Sequence, residues 1–371
     1  MPTHPLFDPA AFRIPAGVAH VCAAGETPFL HRHDAALAQY AHDKSQGMPG
    51  RTAQETMVEL ARERIARLWH ATPGDIGFVS SVADGVALVA DSLDWREGDN
   101  LVIDTNEYPS VVAPFALRRH PKVELRVATG TAPDRLAARV DASTRVIGVS
   151  YVSYLTGERF DLAAVRTLAD SVGALLVVDF TQAAGYLPIH AGLADFAFSA
   201  CYKWLLGMTG VAVAYWNRAR QPGWQPATGG WLSLAPVARP DYVAGIGLRA
   251  DAMRFTRGNP AHGPVYVLAG ALDYLMQHDQ DDLARHVTGL TADLLARLAE
   301  AGIPTTTPAD PARHGGNVCI DSPRAQAIVD SLYRQGVYAW NGHGRARFSF
   351  HGYNSTTDVD RIMTGLKQLW E

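Results

Sequence analysis

Between residues 75 and 216, seven short apolar runs alternate with stretches of helical pattern, and this alternation restricts the fold more than any other feature. The runs are "IGFVS" (76–80), "LVIDT" (101–105), "VELRVA" (123–128), "RVIGVS" (145–150), "ALLVVDF" (174–180), "DFAFSA" (195–200) and "GVAVAYW" (210–216). Between them, "VALVADSL", "YPSVVAPFALRRH" and "DLAAVRTLADSVG" read as helices. Strands that are apolar on both faces and separated by helices form a mainly parallel sheet covered on both sides. The expected fold class is therefore α/β, a seven-stranded sheet in a large domain, followed by a smaller α+β domain. Residues 217–262, rich in Gly, Pro and Trp, read as long ordered loops. After them come a helix over about 264–278, a second through "DDLARHVTGLTADLLARLAEAG", a strand "GNVCI", a helix "PRAQAIVDSLYRQG", strands "VYAW" and "ARFSF", and a last helix from Asp358. The implied division is an arm (1–20), a large domain (21–263) and a small domain (264–371) entered through the 264–278 helix.

At 371 residues the chain exceeds one ordinary core, and its 47% hydrophobic and 19% charged content is that of a globular protein. A net charge of −4 without any Lys/Arg block argues against nucleic acid as a partner. No apolar run approaches membrane-spanning length, and "MPTHPLFDPAAF" does not read as a signal peptide. Cys22, Cys201 and Cys319 are far apart with no CxxC, which fits a reducing cytoplasm and no metal ribbon.

In such a sheet, ligands sit beyond the carboxyl ends of the strands. "ALLVVDF" presents Asp179 there, with Gln182 three residues on. Lys203 follows, just past the next strand, inside the otherwise apolar "DFAFSACYKWLLGMTGVAVAYW". Asp179 could be a plain turn residue, and Lys203 could snorkel to water. Together, however, an acid and an amine on neighbouring strand ends supply what pyridoxal phosphate needs: a lysine Schiff base and an acidic partner for the pyridinium nitrogen. A phosphate site is offered by "FVSSVADGVALVADSL". Ser81 and Asp84 fit a capping box, so the free amides of Val82 to Gly85, Ala83 among them, would face an anion. Asp84 beside a dianion is unfavourable unless it turns back toward the cap.

Taken in order, "NEYPSVV", "SYLTGERFDL", "VDFTQAAG", "DFAFSACYKW", "RFTRGNP" and "RFSFHGYNSTTDVD" resemble the class V aminotransferase group of fold-type I pyridoxal-phosphate enzymes, which includes cysteine desulfurases, selenocysteine lyases and kynureninases. The resemblance runs from about residue 20 to the end. It implies that Lys203 is the aldimine lysine, Asp179 the pyridinium partner and Gln182 a neighbour of the ring hydroxyl. It also implies that Tyr202 binds phosphate, Tyr108 stacks on the ring, and Asn259 reaches the phosphate of a neighbouring subunit in a homodimer with shared sites. Trp231 matches a tryptophan near that interface, and Arg347 an arginine that grips the substrate carboxylate. His343 and His351 flank Arg347 and are candidates for the substrate pocket. The chain departs from the group in having Val82 and Ala83 where many relatives have Thr, and Tyr108 where His is common. Between Val337 and Arg347 it lacks the nucleophilic cysteine of desulfurases, and Cys201 reads as packing. The implied activity is transamination of an amino acid, with a carbon–sulfur or β-lyase, a kynureninase-like hydrolase and a silent scaffold as alternatives. "GIGLRA" (245–250) fits a dinucleotide fingerprint without its strand and helix, and "HRHD" (31–34) lacks further metal ligands.

Overall fold

The computed structural model describes residues 2–370 apart from Thr131, Pro133 and Pro240. A two-residue strand β1 (Ala19–His20) is followed by helices α1 (Arg32–Lys44) and α2 (Met48–Leu68). The large sheet is then built from β2 (Ile76–Val79), β3 (Asn100–Asp104), β4 (Glu124–Ala128), β5 (Thr144–Ser150), β6 (Leu175–Asp179), β7 (Phe196–Ala200) and β8 (Ala212–Trp216). Helices α3 (Val82–Ser92), α4 (Pro109–Ala116) and α5 (Leu162–Val172) lie between its strands. The C-terminal part runs α6 (His262–Leu275), α7 (Gln280–Glu300), β9 (Asn317–Asp321), α8 (Ala325–Arg334), β10 (Val337–Tyr338), β11 (Trp340–Gly342), β12 (Arg345–Ser349) and α9 (Thr356–Trp370).

The sheet order is β2-β8-β7-β6-β5-β3-β4. From β7 to β4 all neighbours are parallel, while β8 runs antiparallel to both β7 and β2. All seven runs expected as strands are these strands. The inner strands are buried on both faces, as their unbroken apolar sequences require. Edge strand β4 is exposed and carries Glu124 and Arg126, with Arg126 ion-paired to Glu124 and Asp141, charges that guard an open edge. At the opposite edge, a Cβ on Gly77 of β2 would lie 2.2 Å from the Ala252 carbonyl, so glycine is what lets the 252–255 turn cover that strand.

One core cluster lies between the sheet and the N-terminal helices with α6; it includes Ile65, Trp69, Phe180, Trp204 and Leu268. A second, on the other face, includes Val86, Phe115, Phe196, Phe198 and Trp216. A third fills the C-terminal unit around Leu294, Val318, Ile328, Phe348 and Ile362. Ala19 and Val21 belong to this third core, because β1 pairs in parallel with β10. Helix α6 instead packs on α1 and α2. Residues 32–68, in which only "HRHD" stands out by sequence, form the two helices α1 and α2, and α2 completes the first core through Val58, Ala61 and Ile65.

Candidate active site

Strand β6 ends on Asp179, and the chain turns at once: Asp179 Oδ1 accepts the Thr181 N–H at 2.8 Å. Thr181 Oγ1 in turn accepts the N–H of Ala200, the last residue of β7, at 2.9 Å. The acid is thereby fixed against the neighbouring strand end. The segment 201–211 joins β7 to β8 and carries Lys203. Its shape is held by bonds from Leu206 N to Lys203 O and from Gly207 N to Cys201 O, each 2.8 Å, and by Thr27 Oγ1 donating to Lys203 O at 3.0 Å. Leu206 adopts φ +57°, a left-handed conformation costly for a branched side chain.

Lys203 is 7% exposed. Among the described residues no hydrogen bond or ion pair engages its amine; Nζ lies 5.4 Å from the centre of the Tyr202 ring and 5.7 Å from that of Tyr108. Burial lowers its pKa from 10.5 to about 8; the charge of Arg347 acts in the same direction, and Asp179 and Glu26 oppose. Burial raises the carboxyl of Asp179, offset by the Thr181 hydrogen bonds and by Lys203.

Asp179 and Lys203 line one cavity of about 300 Å³, together with Val82, Tyr108, Thr181 and Tyr202. That volume is at the lower end for small-molecule sites. One end is closed by Ser80, Ser81 and Val82 at the start of α3. Ser81 is the N-cap, its hydroxyl accepting from Asp84 N at 3.2 Å. The Asp84 carboxylate bonds the Ser80 hydroxyl and faces an adjoining cavity. The helix start can approach the sheet because residue 85 is glycine: a Cβ there would fall 2.3 Å from the Phe198 ring. Ala83 lies in this first turn but not on the cavity wall.

Other expected residues are placed differently. Gln182 is buried, donating to Ala24 O and accepting from Trp204 Nε1, both at 3.0 Å, away from the cavity wall. His351 is fully buried: Nδ1 accepts the Gly352 N–H at 2.8 Å and Nε2 donates to Trp204 O at 3.0 Å. Burial lowers its pKa to about 4, so the ring is neutral and both nitrogens are bonded to backbone. It packs among Phe7, Trp204 and Tyr353 as a core residue and is not among the residues lining the cavity of Asp179 and Lys203. His343 is exposed, edge-on to Tyr154 at 5.7 Å. Arg347 is 3% exposed; Nη1 donates to Tyr154 O at 2.9 Å, the guanidinium sits 4.1 Å over the Trp340 ring, and Nε has no partner. Among the described residues no carboxylate pairs with it. Asn259 and Trp231 are not on the cavity wall; both meet Arg51, which donates to Asn259 Oδ1 at 2.6 Å and covers the Trp231 ring at 5.6 Å. Asn259 lines the adjoining cavity, which shares Ser80, Gly210 and Val211 with the first. "GIGLRA" is loop, with a bridge between Leu248 and Leu234. His33 of "HRHD" is buried, its Nδ1 accepting the Leu30 N–H.

Several neighbours were not legible beforehand. Tyr154 stands edge-on to Tyr108 at 4.8 Å, and Glu107 is a half-buried acid whose carboxyl feels the Asp179 charge. Cys22 and Glu26, from the segment after β1, act electrostatically on Lys203. Burial raises the thiols of Cys22, of Cys201 (to about 12) and of Cys319 (to about 11), so all three are poor nucleophiles.

The profile of aminotransferase class-V matches residues 25–362. The chain belongs to the aminotransferase class-V family. It is accordingly an enzyme of transferase or lyase type, with the fold-type I architecture. A cysteine desulfurase of Enterobacter sp. (strain 638) is 28% identical over 369 residues, covering 91% of this chain and 89% of that protein. The uncharacterized aminotransferase YcbU of Bacillus subtilis (strain 168) is 27% identical over 309 residues, covering 81% of each. Among solved structures, the cystine C–S lyase C-DES, with glycine covalently linked to its PLP cofactor, superposes with a TM-score of 0.87 at 21% identity, covering 97% of this chain and 99% of that one.

Proposed function

We propose that this class-V enzyme binds pyridoxal phosphate covalently at Lys203 and acts on an amino acid, with transamination as the first reading. The supporting observation is a buried, unpartnered amine and a buried carboxylate on one small cavity wall. These residues fit the cofactor. Lys203 would hold its carbonyl carbon, and Asp179 would keep the proton on its ring nitrogen. Tyr108 would lie against the ring, and the start of α3 with Ser80, Ser81 and Tyr202 would receive the phosphate. When bound, pyridoxal phosphate supplies an electron sink for the pair left behind when a bond to the substrate Cα breaks. The Lys203 amine would take the substrate Cα proton and could return it; a pKa near 8 leaves part of the amine neutral at neutral pH. Arg347, desolvated and with no acidic partner among the described residues, would bind the substrate carboxylate through two charge-assisted hydrogen bonds.

A second reading, elimination at a carbon–sulfur bond, is favoured by the names of the relatives, cysteine desulfurase and cystine C–S lyase. The raised thiols argue against a persulfide-carrying cysteine within this reading. We further propose a homodimer in which Asn259 and Trp231, both exposed in the single chain, approach the partner's cavity. A cytoplasmic setting agrees with three free cysteines.

Titration with pyridoxal phosphate should give a visible absorbance band. Borohydride should bleach it and leave the cofactor attached to the Lys203 peptide, and a Lys203→Ala variant should show neither effect. No band at saturating cofactor would overturn the reading. Keto acid formed from amino acids would select transamination, and sulfide with ammonia would select elimination.

A further inference from the structure

Glu107 sits in the turn after β3, immediately before Tyr108. Glu107 is half-buried, among the described residues no cation pairs with it, and an unpaired carboxylate out of full contact with water is costly. Three donors offset that cost. Tyr108 N donates to Oε1 and Ser150 N to Oε2, both at 2.7 Å, and the Ser150 hydroxyl also bonds Oε1. This one side chain therefore ties the start of α4 to the end of β5. Ser150 is the register partner of Asp179, so Glu107, in the turn after β3, holds the strand end that lies next to Asp179. Tyr108, whose main chain is held by Glu107, presents its ring to the cavity and to Lys203.

We propose that Glu107 is a positioning residue that fixes Tyr108 against the cavity and tunes, by its own charge, the wall that carries Asp179. The titratable groups around it are Asp179 from β6, Tyr154 from the segment after β5, Tyr108 on its own turn, and Asp104 at the end of β3, whose carbonyl accepts the Glu107 N–H while its carboxylate pairs with Arg135. Burial raises the Glu107 carboxyl to about 7, with the Asp179 charge adding and the Ser150 and Tyr108 bonds opposing. Above that pH Glu107 adds a negative charge beside Asp179; below it, that added charge is gone. A second negative charge raises the proton affinity of groups in the cavity.

The charge tuning rests on the pyridoxal-phosphate reading, and the experiment separates the two. In cofactor-free protein, difference infrared spectra across pH 6–8 should show a protonated-carboxyl band that titrates near pH 7 and is missing from Glu107→Gln. In cofactor-loaded protein, Glu107→Gln should shift the pH midpoint of the visible band downward, a loss of proton affinity of roughly three- to tenfold. Glu107→Ala, which also frees Tyr108, should in addition weaken cofactor binding by about tenfold. A merely structural Glu107 would lower the melting temperature of both variants and leave the midpoint where it is. An unmoved midpoint in folded Glu107→Gln, or no titrating band in the wild type, overturns the proposal. Absence of a visible band with the infrared titration intact would instead count against the cofactor reading and leave the clamp on Tyr108 standing.

Discussion

Replacing Lys203 by methionine should make the cofactor-free protein more stable at neutral pH, because the amine is held where its charge is disfavoured. Its pKa falls from 10.5 to about 8 on folding, with burial as the main cause and the Arg347 charge second. That difference corresponds to about 3 kcal/mol. The group is almost wholly buried, so solvent screens little of it. The sign follows from proton counting. Between pH 8 and 10.5 the unfolded chain keeps a proton that the folded chain has released, so stability rises with pH across this window. Below about pH 8 the folded protein bears the full cost. Methionine has a similar length and no charge and removes it. In urea titrations, Lys203→Met should therefore exceed the wild type by up to about 3 kcal/mol at pH 7, roughly 4 °C in melting temperature for a chain of this size. The advantage should shrink steadily from pH 8 to 10. Equal or lower stability of the variant at pH 7, or an advantage independent of pH, would refute the assignment of a desolvated amine.

Three further outcomes follow from the same geometry. Arg347→Lys keeps the charge but loses the paired donors, so kcat/KM for the amino acid should fall roughly ten- to hundredfold with cofactor affinity unchanged; an unchanged kcat/KM would move carboxylate binding elsewhere. His351→Ala should cost about 2–4 kcal/mol of stability, since it empties a packed site and strands the Gly352 N–H and the Trp204 carbonyl, while KM at a permissive temperature stays within twofold. A large rise in KM with full stability would return His351 to the substrate pocket. Gly85→Ala places a methyl 2.3 Å from Phe198, so it should destabilise by about 1–3 kcal/mol and weaken cofactor binding by displacing the α3 start; calorimetry and cofactor titration would both have to be unchanged to exclude that close approach.

The sequence by itself determined the seven strands of the large sheet, the helices between them, and the two residues to which the proposed function assigns the chemistry. These are written locally: an apolar run ends in an acid at Asp179, and one lysine interrupts an apolar stretch at Lys203. Tertiary structure decided everything that depends on which chain segments meet. The reversed direction of β8, the pairing of β1 with β10, and the packing of α1 and α2 on α6 are contacts between segments distant in sequence, for which no local periodicity carries a signal. The same holds for side chains. Gln182 and His351 stand in motifs that point toward a ligand, yet their polar atoms bond to Ala24, Trp204 and Gly352. Glu107 stands inside "NEYPSVV" with no role assigned to it there, and joins the site because Ser150 and Asp179 lie side by side across β5 and β6. Burial pattern is a property of short stretches, whereas the partner of a buried polar atom is fixed only when the strands take their order.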